Sequence, residues 1–278
     1  MLTGVQPARG VAAIGAVVAV GAGAFAGLAF AGGETRLERT RIDFEILDGA
    51  TRTQDQVSMT IEVVDAAKQA SIPGFSFAYE FQAATGTAVG TMGACTQPYF
   101  RVTAENQSEQ TLKLRSSASG SSDEVIVALD DDQGSTLTAT RRQEVLTNLS
   151  AAIHSSARKL AVDPVQAEAD LVEKSTQMVA GLKFLTDDAT ILPGRKASFL
   201  VCFDYVPGVY IQEEEYKWFA GRSDLTLGIY DVPVLRDASG IAQKKTNFQY
   251  KLKVHEYKDS MLYQLGAPPQ ILGTAQIR

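Results

Sequence analysis

The chain has 278 residues, of which 45% are hydrophobic and 21% charged, and this is the composition of a folded globular protein rather than a disordered or fibrous one. The formal net charge is −6 and no block of Lys and Arg could follow a phosphate backbone, so the sequence predicts no nucleic-acid partner. Once the apolar opening segment is set aside, the remaining length suits one large domain or two small ones.

The first predicted element is an uncharged, apolar segment at residues 11–33, which follows a short flank at 1–10. As a helix it is just long enough to cross about 30 Å of hydrocarbon, although a segment built mainly of Ala and Gly partitions weakly into a membrane. Its two small-x-small patterns, at 24–26 and 29–31, also fit signal-peptidase cleavage. The segment is therefore a membrane anchor or a signal peptide, and the sequence leaves both open.

Two further features of this segment concern its orientation and its packing. Only Arg9 precedes it, whereas Arg36, Arg39 and Arg41 follow closely, and the positive-inside tendency by itself would keep the more basic flank in the cytoplasm. Because a large domain can be translocated despite such charges, we expect an extracytoplasmic body. Small residues at every fourth position predict a helix-packing face if the segment is retained. That face consists of Gly15, Ala19, Gly23, Gly27 and Ala31.

Alternation of apolar and polar residues predicts β-strands in the rest of the chain. Seven segments carry this pattern, and their apolar positions fall within 42–46, 57–63, 75–81, 100–104, 199–205, 225–229 and 248–254. Alternation this regular is typical of antiparallel sheets with one wet face. In the last segment His255 belongs to the polar face, so we expect it to be solvent-exposed rather than a ligand.

The stretch at 125–140 predicts a β-hairpin around an Asp/Gly turn. Three consecutive acids, Asp130, Asp131 and Asp132, precede Gly134 and resemble part of a calcium loop. The ligand spacing and the distal bidentate Glu of an EF-hand are missing. We therefore expect a solvated turn and no metal site.

From 143 to 185 the apolar period changes from two residues to three and four, which predicts two helices. At their join, Asp163 suits an N-cap, Pro164 the first helical position and Gln166 the third. The sequence thus predicts a helical hairpin between strands. Its apolar stripe is more typical of packing on a sheet than of holding a cofactor, and His154 in the first helix is predicted to lie on the surface.

The two cysteines, Cys95 and Cys202, are too few for a disulfide scaffold and lack the close Cys/His spacing of a zinc site. In an exported domain they could form one bridge, which would stabilise the fold by roughly 4 to 5 kcal/mol in the chain-entropy model. Two separate buried thiols are the alternative. Cys202 lies on the strand face opposite Phe199, Val201 and Phe203, so a second layer or a bridge must cover it.

Four segments come in a familiar order: YFRVTAENQSEQTLKL at 99–114, VIVALDDDQG at 125–134, ILPGRKASFLVCFDYVPG at 191–208 and DLTLGIY at 224–230. They describe a strand ending in an Asn-containing turn, a strand entering an Asp/Gly turn, a Leu-Pro-Gly lead into a long strand, and a final apolar strand. This order resembles the telokin-like, immunoglobulin-type domains of bacterial lipoproteins and secreted antigens. The resemblance implies an exported, non-enzymatic β-sandwich over about 99–257.

The chain departs from that pattern in its helical hairpin and in the missing lipobox cysteine. It also has an extra residue, Tyr205, within the Phe-Asp-Val-Pro motif that follows the long strand. The resemblance therefore carries over a fold class and no functional residues. The predicted fold is mainly β, an antiparallel immunoglobulin-like β-sandwich with an inserted helical hairpin and an N-terminal hydrophobic helix. N-terminal strands are expected at 34–98, the sandwich at 99–257 and a C-terminal tail at 258–278.

One loop, VYIQEEEYKWFAGRS at 209–223, sets four aromatic residues beside three consecutive glutamates. Aromatic residues are favoured as interface anchors, so Tyr210, Tyr216, Trp218 and Phe219 form a candidate interface. The alternative is that Trp218 and Phe219 turn inward and close the edge of the sandwich.

The sequence contains no nucleophile elbow, metalloprotease helix, phosphate-binding loop or dinucleotide fingerprint. We therefore expect a protein that is not an enzyme and has no cofactor. The expected function is that of a membrane-anchored structural or interaction subunit of a membrane or cell-surface assembly, with the membrane and other protein subunits as partners. Two alternatives are a cleaved, secreted ligand-binding protein and a self-assembling shell or filament subunit.

Overall fold

The computed structural model describes nine ranges of the chain, namely 35–64, 72–83, 86–95, 99–114, 124–203, 218–219, 221–237, 241–263 and 270–276. The apolar segment at 11–33, with its helix-packing face, lies outside these ranges. Within them the chain is mainly β with antiparallel sheets, and this part of the predicted fold class is confirmed.

The strands, in chain order, are β1 (Thr35–Ile46), β2 (Thr51–Gln54), β3 (Val57–Val63), β4 (Ser76–Ala83), β5 (Gly86–Gly93), β6 (Tyr99–Asn106), β7 (Leu112–Leu114), β8 (Ile126–Asp131), β9 (Thr136–Thr138), β10 (Ala189–Ile191), β11 (Lys196–Cys202), β12 (Asp224–Arg236), β13 (Ala242–Tyr263) and β14 (Gln270–Gln276). Two helices, α1 (Arg142–Leu160) and α2 (Pro164–Gly181), lie between β9 and β10. The hairpin expected at 125–140 is formed by β8 and β9.

Two antiparallel sheets face each other across one hydrophobic core. The first has the strand order β1-β13-β12-β8-β9, with β14 also paired to β13, and the second has the order β11-β6-β3-β2. In β3, Val57, Met59 and Ile61 are buried in the shared core, as the alternation predicts. Tyr250 of β13 joins the two layers, because its hydroxyl donates to the backbone carbonyl of Met59 at 2.6 Å.

Strands from 34–98 and from 99–257 contribute to each of the two sheets, while β7 pairs with β10 in a separate two-stranded sheet. β1 pairs with β13, and β3 pairs with β6, so the division drawn at residue 98 does not coincide with a boundary between sheets. The expected strand at 75–81 is β4, which pairs with β5 in a ribbon of its own rather than joining either sheet.

The helical hairpin packs outside the second sheet and against the β4–β5 ribbon. One buried cluster joins Val145 and Val179 of the helices to Tyr99 and Leu200 of the sheet. A smaller cluster joins Ile153 and Leu171 to Tyr79 and Met92 of the ribbon. The helices therefore form a third layer, as expected for an apolar stripe that packs on strands.

The second helix ends at Gly181, four residues earlier than predicted. Beyond it the chain runs alongside β11, where Leu200 N donates to Lys183 O at 2.7 Å and Leu185 N donates to Leu200 O at 3.0 Å. The apolar residues at 182–185 are therefore buried by strand-like pairing, although their spacing is compatible with a helix. At the start of α2, Asp163 accepts from Gln166 N at 3.1 Å and Pro164 occupies the first turn, as predicted.

A three-stranded terminal ribbon continues the first sheet beyond the sandwich. It consists of residues 35–41 of β1, 257–263 of β13 and all of β14, which takes the place beside β13 that β12 occupies within the sandwich. Among the side chains that the structure describes, burial along β13 ends at Val254, and 272–276 of β14 are exposed. The range 258–278, expected as a tail, thus contains residues of β13 and the whole of β14.

Candidate functional site

The aromatic loop at 209–223 is described only at its end. Trp218 and Phe219 are buried, with 9% and 0% of their surface exposed. The Phe219 ring lies 5.9 Å from the Phe44 ring, centroid to centroid, in an edge arrangement, and 5.1 Å from the Trp218 ring. Both rings therefore close the sandwich, while Tyr210 and Tyr216 lie outside the described residues.

A polar network fixes Trp218 to the turn between β8 and β9. Its indole N–H donates to Ser135 Oγ at 3.1 Å, and the Arg222 guanidinium lies 4.4 Å from the centre of its ring. Arg222 also donates to the Trp218 carbonyl and, from Nε, to Asp131 Oδ2 at 2.7 Å. This arrangement joins the end of the aromatic loop to a turn more than eighty residues earlier in the chain.

The acidic turn is therefore not simply solvated, and this expectation was wrong for Asp131, whose side chain is only 1% exposed. Its Oδ1 accepts from the backbone N–H groups of Gln133 at 3.0 Å and Ser135 at 2.6 Å. Burial raises the pKa of Asp131, but the hydrogen bond from Arg222 and those two backbone bonds outweigh it and lower the pKa below the ordinary value. The carboxylate is thus held charged by its neighbours.

The adjacent carboxylate has different partners. Asp130 accepts from Thr136 Oγ1 at 2.6 Å and from the Tyr230 hydroxyl at 2.5 Å. Burial and this bond to Asp130 raise the pKa of Tyr230. Among the described residues, no three His, Cys, Asp or Glu side chains are grouped so that they could hold a metal ion.

The structure joins Cys95 and Cys202 in a disulfide, with their Cα atoms 5.8 Å apart. Both residues are buried, and they belong to the cluster between the second sheet and the helices. Cys95 follows β5 and Cys202 ends β11, so the bond attaches the β4–β5 ribbon to the sandwich. The sequence predicted that a second layer or a bridge must cover Cys202, and the disulfide is such a bridge.

The two histidines belong to different elements, α1 and β13, and each contacts a glutamate. In the helical hairpin, His154 Nδ1 is 2.9 Å from Glu168 Oε1, and the histidine side chain is partly exposed. His255 is half-buried rather than solvent-exposed, because its ring lies between Glu45, at 3.0 Å from Nε2, and Gln276, at 3.2 Å from Nδ1. Strand β14, which the alternation pattern did not predict, supplies the extra cover.

A cleft of about 480 Å³ lies where α1 begins, beside β10 and β11. Its wall includes Lys183, Asp188 and an ion pair in which Arg142 donates to Asp187 at 2.7 Å. Arg142 also donates to the carbonyls of Val179 and Leu182, both at 2.6 Å. The guanidinium is therefore engaged in closing the end of α2, and the cleft presents charges of both signs.

Neither protein-family models, nor curated proteins, nor solved structures provide a match to this chain. In the described ranges, neither helix combines the length and the apolar character that a membrane span requires. The geometry of this chain itself is therefore the basis of the function proposed below.

Proposed function

We propose that this chain is a non-enzymatic, membrane-anchored extracytoplasmic protein that acts as a structural or interaction subunit of a membrane or cell-surface assembly. The terminal ribbon is the observation that carries the proposal. None of the ribbon residues whose burial the structure describes, at 257, 258, 260 and 272–276, is buried. Strands that bury no face are marginally stable in water. The outer edges of β1 and β14, which no described strand covers, also invite pairing with other chains. A ribbon of this kind is well suited to be covered by a partner.

The position of the ribbon adds to this argument. Its first strand begins at Thr35, directly after the apolar segment at 11–33. Where that segment is retained in a membrane as a helix, the ribbon is the part of the body next to the lipid surface. An assembly partner held in the same membrane would meet it first.

The disulfide supports the extracytoplasmic location. Structural disulfides persist in oxidising compartments and are rare in the reducing cytosol. The bond between Cys95 and Cys202 is buried and attaches one structural layer to another, so it has the position of a structural bond rather than an exchanging one.

The immunoglobulin-like assignment belongs to the same proposal, and it is supported by the way the quoted motifs meet. At the end of β6, the Asn106 amide donates to the carbonyls of Gln110 at 2.7 Å and Ile191 at 2.9 Å. Gly194, which has a positive φ of 67°, donates from its N–H to Asn106 O at 2.7 Å. The Asn-containing turn and the Leu-Pro-Gly turn are therefore built against each other.

Fractionation of cells that produce the full chain tests the proposal. We expect the protein to stay with the membrane through alkaline carbonate extraction and to be accessible to protease added from outside. Its intact mass should include the segment at 11–33. A full-length chain in the carbonate-soluble cytosolic fraction would contradict the proposal, and a mature start at Gly27 or Gly32 would favour the secreted alternative.

A further inference from the structure

Strand β1 lies at an edge: among the described strands it pairs with β13 on one side and with none on the other. Two hydrogen bonds give the direction of its backbone groups. Leu47 N donates to Lys251 O at 2.9 Å, one step beyond the last β1–β13 pair, so odd-numbered residues of β1 direct their backbone groups toward β13. Phe44 N instead donates to Asp43 Oδ1 at 2.9 Å. Even-numbered residues therefore direct their N–H and C=O groups outward.

The charges on the odd-numbered face of β1 are divided along its length. Arg39 and Arg41 come first, and Asp43 and Glu45 follow. The Glu45 side chain is 62% exposed even though it contacts His255, so it can meet a second partner. Because an antiparallel copy reverses the direction of the strand, it would bring the acidic half of one β1 beside the basic half of the other.

The direction of the backbone groups limits how two copies of β1 can pair. Two antiparallel strands form a regular ladder only when residues with outward groups face each other, so even-numbered residues must face even-numbered ones. Such a ladder has its two-fold axis at one residue of the strand. An axis at Thr40 sets Arg39 opposite Arg41, and an axis at Arg41 sets that residue opposite its own copy. Both registers oppose like charges, although the second also sets Arg39 opposite Asp43 on either side of the axis.

The two remaining central registers have their axis at Asp43 or at Ile42, and they too can be compared by the charges that face each other. With the axis at Asp43, that residue faces its own copy, although Arg41 stands opposite Glu45 on either side. With the axis at Ile42, Arg39 stands opposite Glu45 and Arg41 opposite Asp43, and the two-fold symmetry repeats both pairs. This register alone of the four opposes only unlike charges, and opposite charges directly across a ladder stabilise it.

We infer that β1 is a self-association edge, on which a second copy of this chain pairs antiparallel with its two-fold axis at Ile42. The even-numbered side fits this register, because the buried Ile42 meets its own copy. The two sandwiches then share one continuous sheet and a contiguous hydrophobic core. The inference rests on the proposed function as an assembly subunit and names the partner as a second copy.

This register also determines where the two apolar segments emerge. Thr35 of one copy stands beyond the end of its partner's β1, so the two Thr35 residues are on the order of 45 Å apart along the joined strands. Both segments can enter one membrane when β1 lies along the membrane surface rather than across it. The terminal ribbons of the two copies then point in opposite directions along that surface.

Charge exchange in the full-length chain, purified in detergent, tests the inference. The variant Asp43→Lys/Glu45→Lys makes the odd-numbered face basic along β1, and Arg39→Glu/Arg41→Glu makes it acidic. Each opposes four like-charge pairs in its own dimer, whereas a mixture of the two restores four unlike pairs. The fourfold variant that combines all four substitutions restores them within one chain. Sedimentation equilibrium gives the dissociation constants, and circular dichroism shows whether each variant is folded.

We expect wild type and the fourfold variant to dimerise, each double variant to dissociate at least about tenfold more readily, and the mixture to regain wild-type affinity. A wild type that stays monomeric overturns the inference, because the charges of β1 would then serve only to prevent pairing of this edge with other chains. A dimer equally stable in both double variants also overturns it and assigns association to another surface, such as the segment at 11–33. If a double variant fails to fold, the fourfold variant still tests the inference, because a fourfold variant that is folded but monomeric contradicts it. These results leave the membrane fractionation unaffected, so the two proposals fail separately.

Discussion

Arg222 donates from Nε to Oδ2 of Asp131 at 2.7 Å, although the two residues are 91 positions apart in the chain. Replacing Asp131 by Asn keeps the shape of the side chain and removes its charge. The half-buried guanidinium of Arg222 then lacks its counter-charge, so we expect a lower melting temperature. The matched control is Asp132→Asn, the same change at an exposed neighbour, which should leave the melting temperature nearly unchanged. Equal effects of the two substitutions would contradict this account.

The same carboxylate makes stability depend on acid pH. Its pKa is lowered from the ordinary 3.8, so the folded state holds it charged at pH values at which the unfolded chain begins to bind a proton. A depressed pKa contributes stability above the unfolded value, and this stability is lost as the pH falls through the folded value. Denaturant unfolding, followed by the fluorescence of Trp218, should show a steeper loss below about pH 4 in wild type than in Asp131→Asn. Parallel pH profiles of wild type and Asp131→Asn would contradict the role given to the Asp131 carboxylate.

A second titration is expected at alkaline pH. Burial raises the pKa of Tyr250 well above its ordinary value of 10.0, although the nearby Arg52 charge opposes this. Since the folded pKa is the higher one, its contribution is complete below the unfolded pKa and is lost as the pH rises beyond it. Tyr250→Phe should lose about 1 to 2 kcal/mol at neutral pH, because the bond to the Met59 carbonyl is missing. Its stability should then decline less above about pH 10. An alkaline decline identical to that of wild type would refute the assignment.

Substitution of two neighbouring arginines at the start of α1 should change the free energy of unfolding by different amounts. Arg142 donates to two carbonyls at the end of α2 and to Asp187, so Arg142→Met should reduce the free energy of unfolding by about 2 kcal/mol. Arg142→Lys should recover only part of this, because an ammonium cannot make the same forked contacts. Arg141, which is about half exposed and contacts Glu124 at 3.2 Å, provides the control. Arg141→Met should change the free energy by less than about 0.5 kcal/mol, and a larger effect than that of Arg142→Met would disprove the role given to Arg142.

Removal of the disulfide should have the largest effect among these changes. The bond closes a loop of 107 residues, so Cys95→Ala/Cys202→Ala should cost roughly 4 to 5 kcal/mol in the chain-entropy model. Because both cysteines are buried, the wild-type protein should react with a thiol reagent only after denaturation together with reduction. Denaturant titration and mass spectrometry of the alkylated protein measure the two effects. Modification of free thiols in the native, unreduced protein would show that the bond is absent.

The sequence predicts what depends on neighbouring residues and misses what depends on distant ones. The alternation in β3 and the cap at Asp163 are local signals, and both are found in the structure. The burial of Asp131 depends on Arg222, and the cover of His255 depends on Gln276, a residue of a strand with only weak alternation. The early end of α2 follows from pairing with Leu200, which competes with the helical spacing. No local pattern carries such information.

The candidate site illustrates the same limit. Aromatic composition made Trp218 and Phe219 a candidate interface, yet both are buried, and Phe219 packs against Phe44, far earlier in the chain. The edge of β1 was not singled out from the sequence, although its division of charge is visible there. The sequence alone does not reveal that β1 pairs with β13. That pairing identifies the unpaired side of β1 among the described strands and the residues whose backbone groups point outward.

The pairing of Thr35 with Tyr263 also has a consequence for how the chain folds as it is made. The first strand of the described fold obtains its partner only after the more than two hundred residues between Thr35 and Tyr263 have been synthesised. Contacts between residues so distant in sequence slow folding and leave intermediates exposed to aggregation. Until β13 has been made, β1 therefore has both of its edges unpaired. The protein has the greatest need of a chaperone, or of very rapid completion, during that interval.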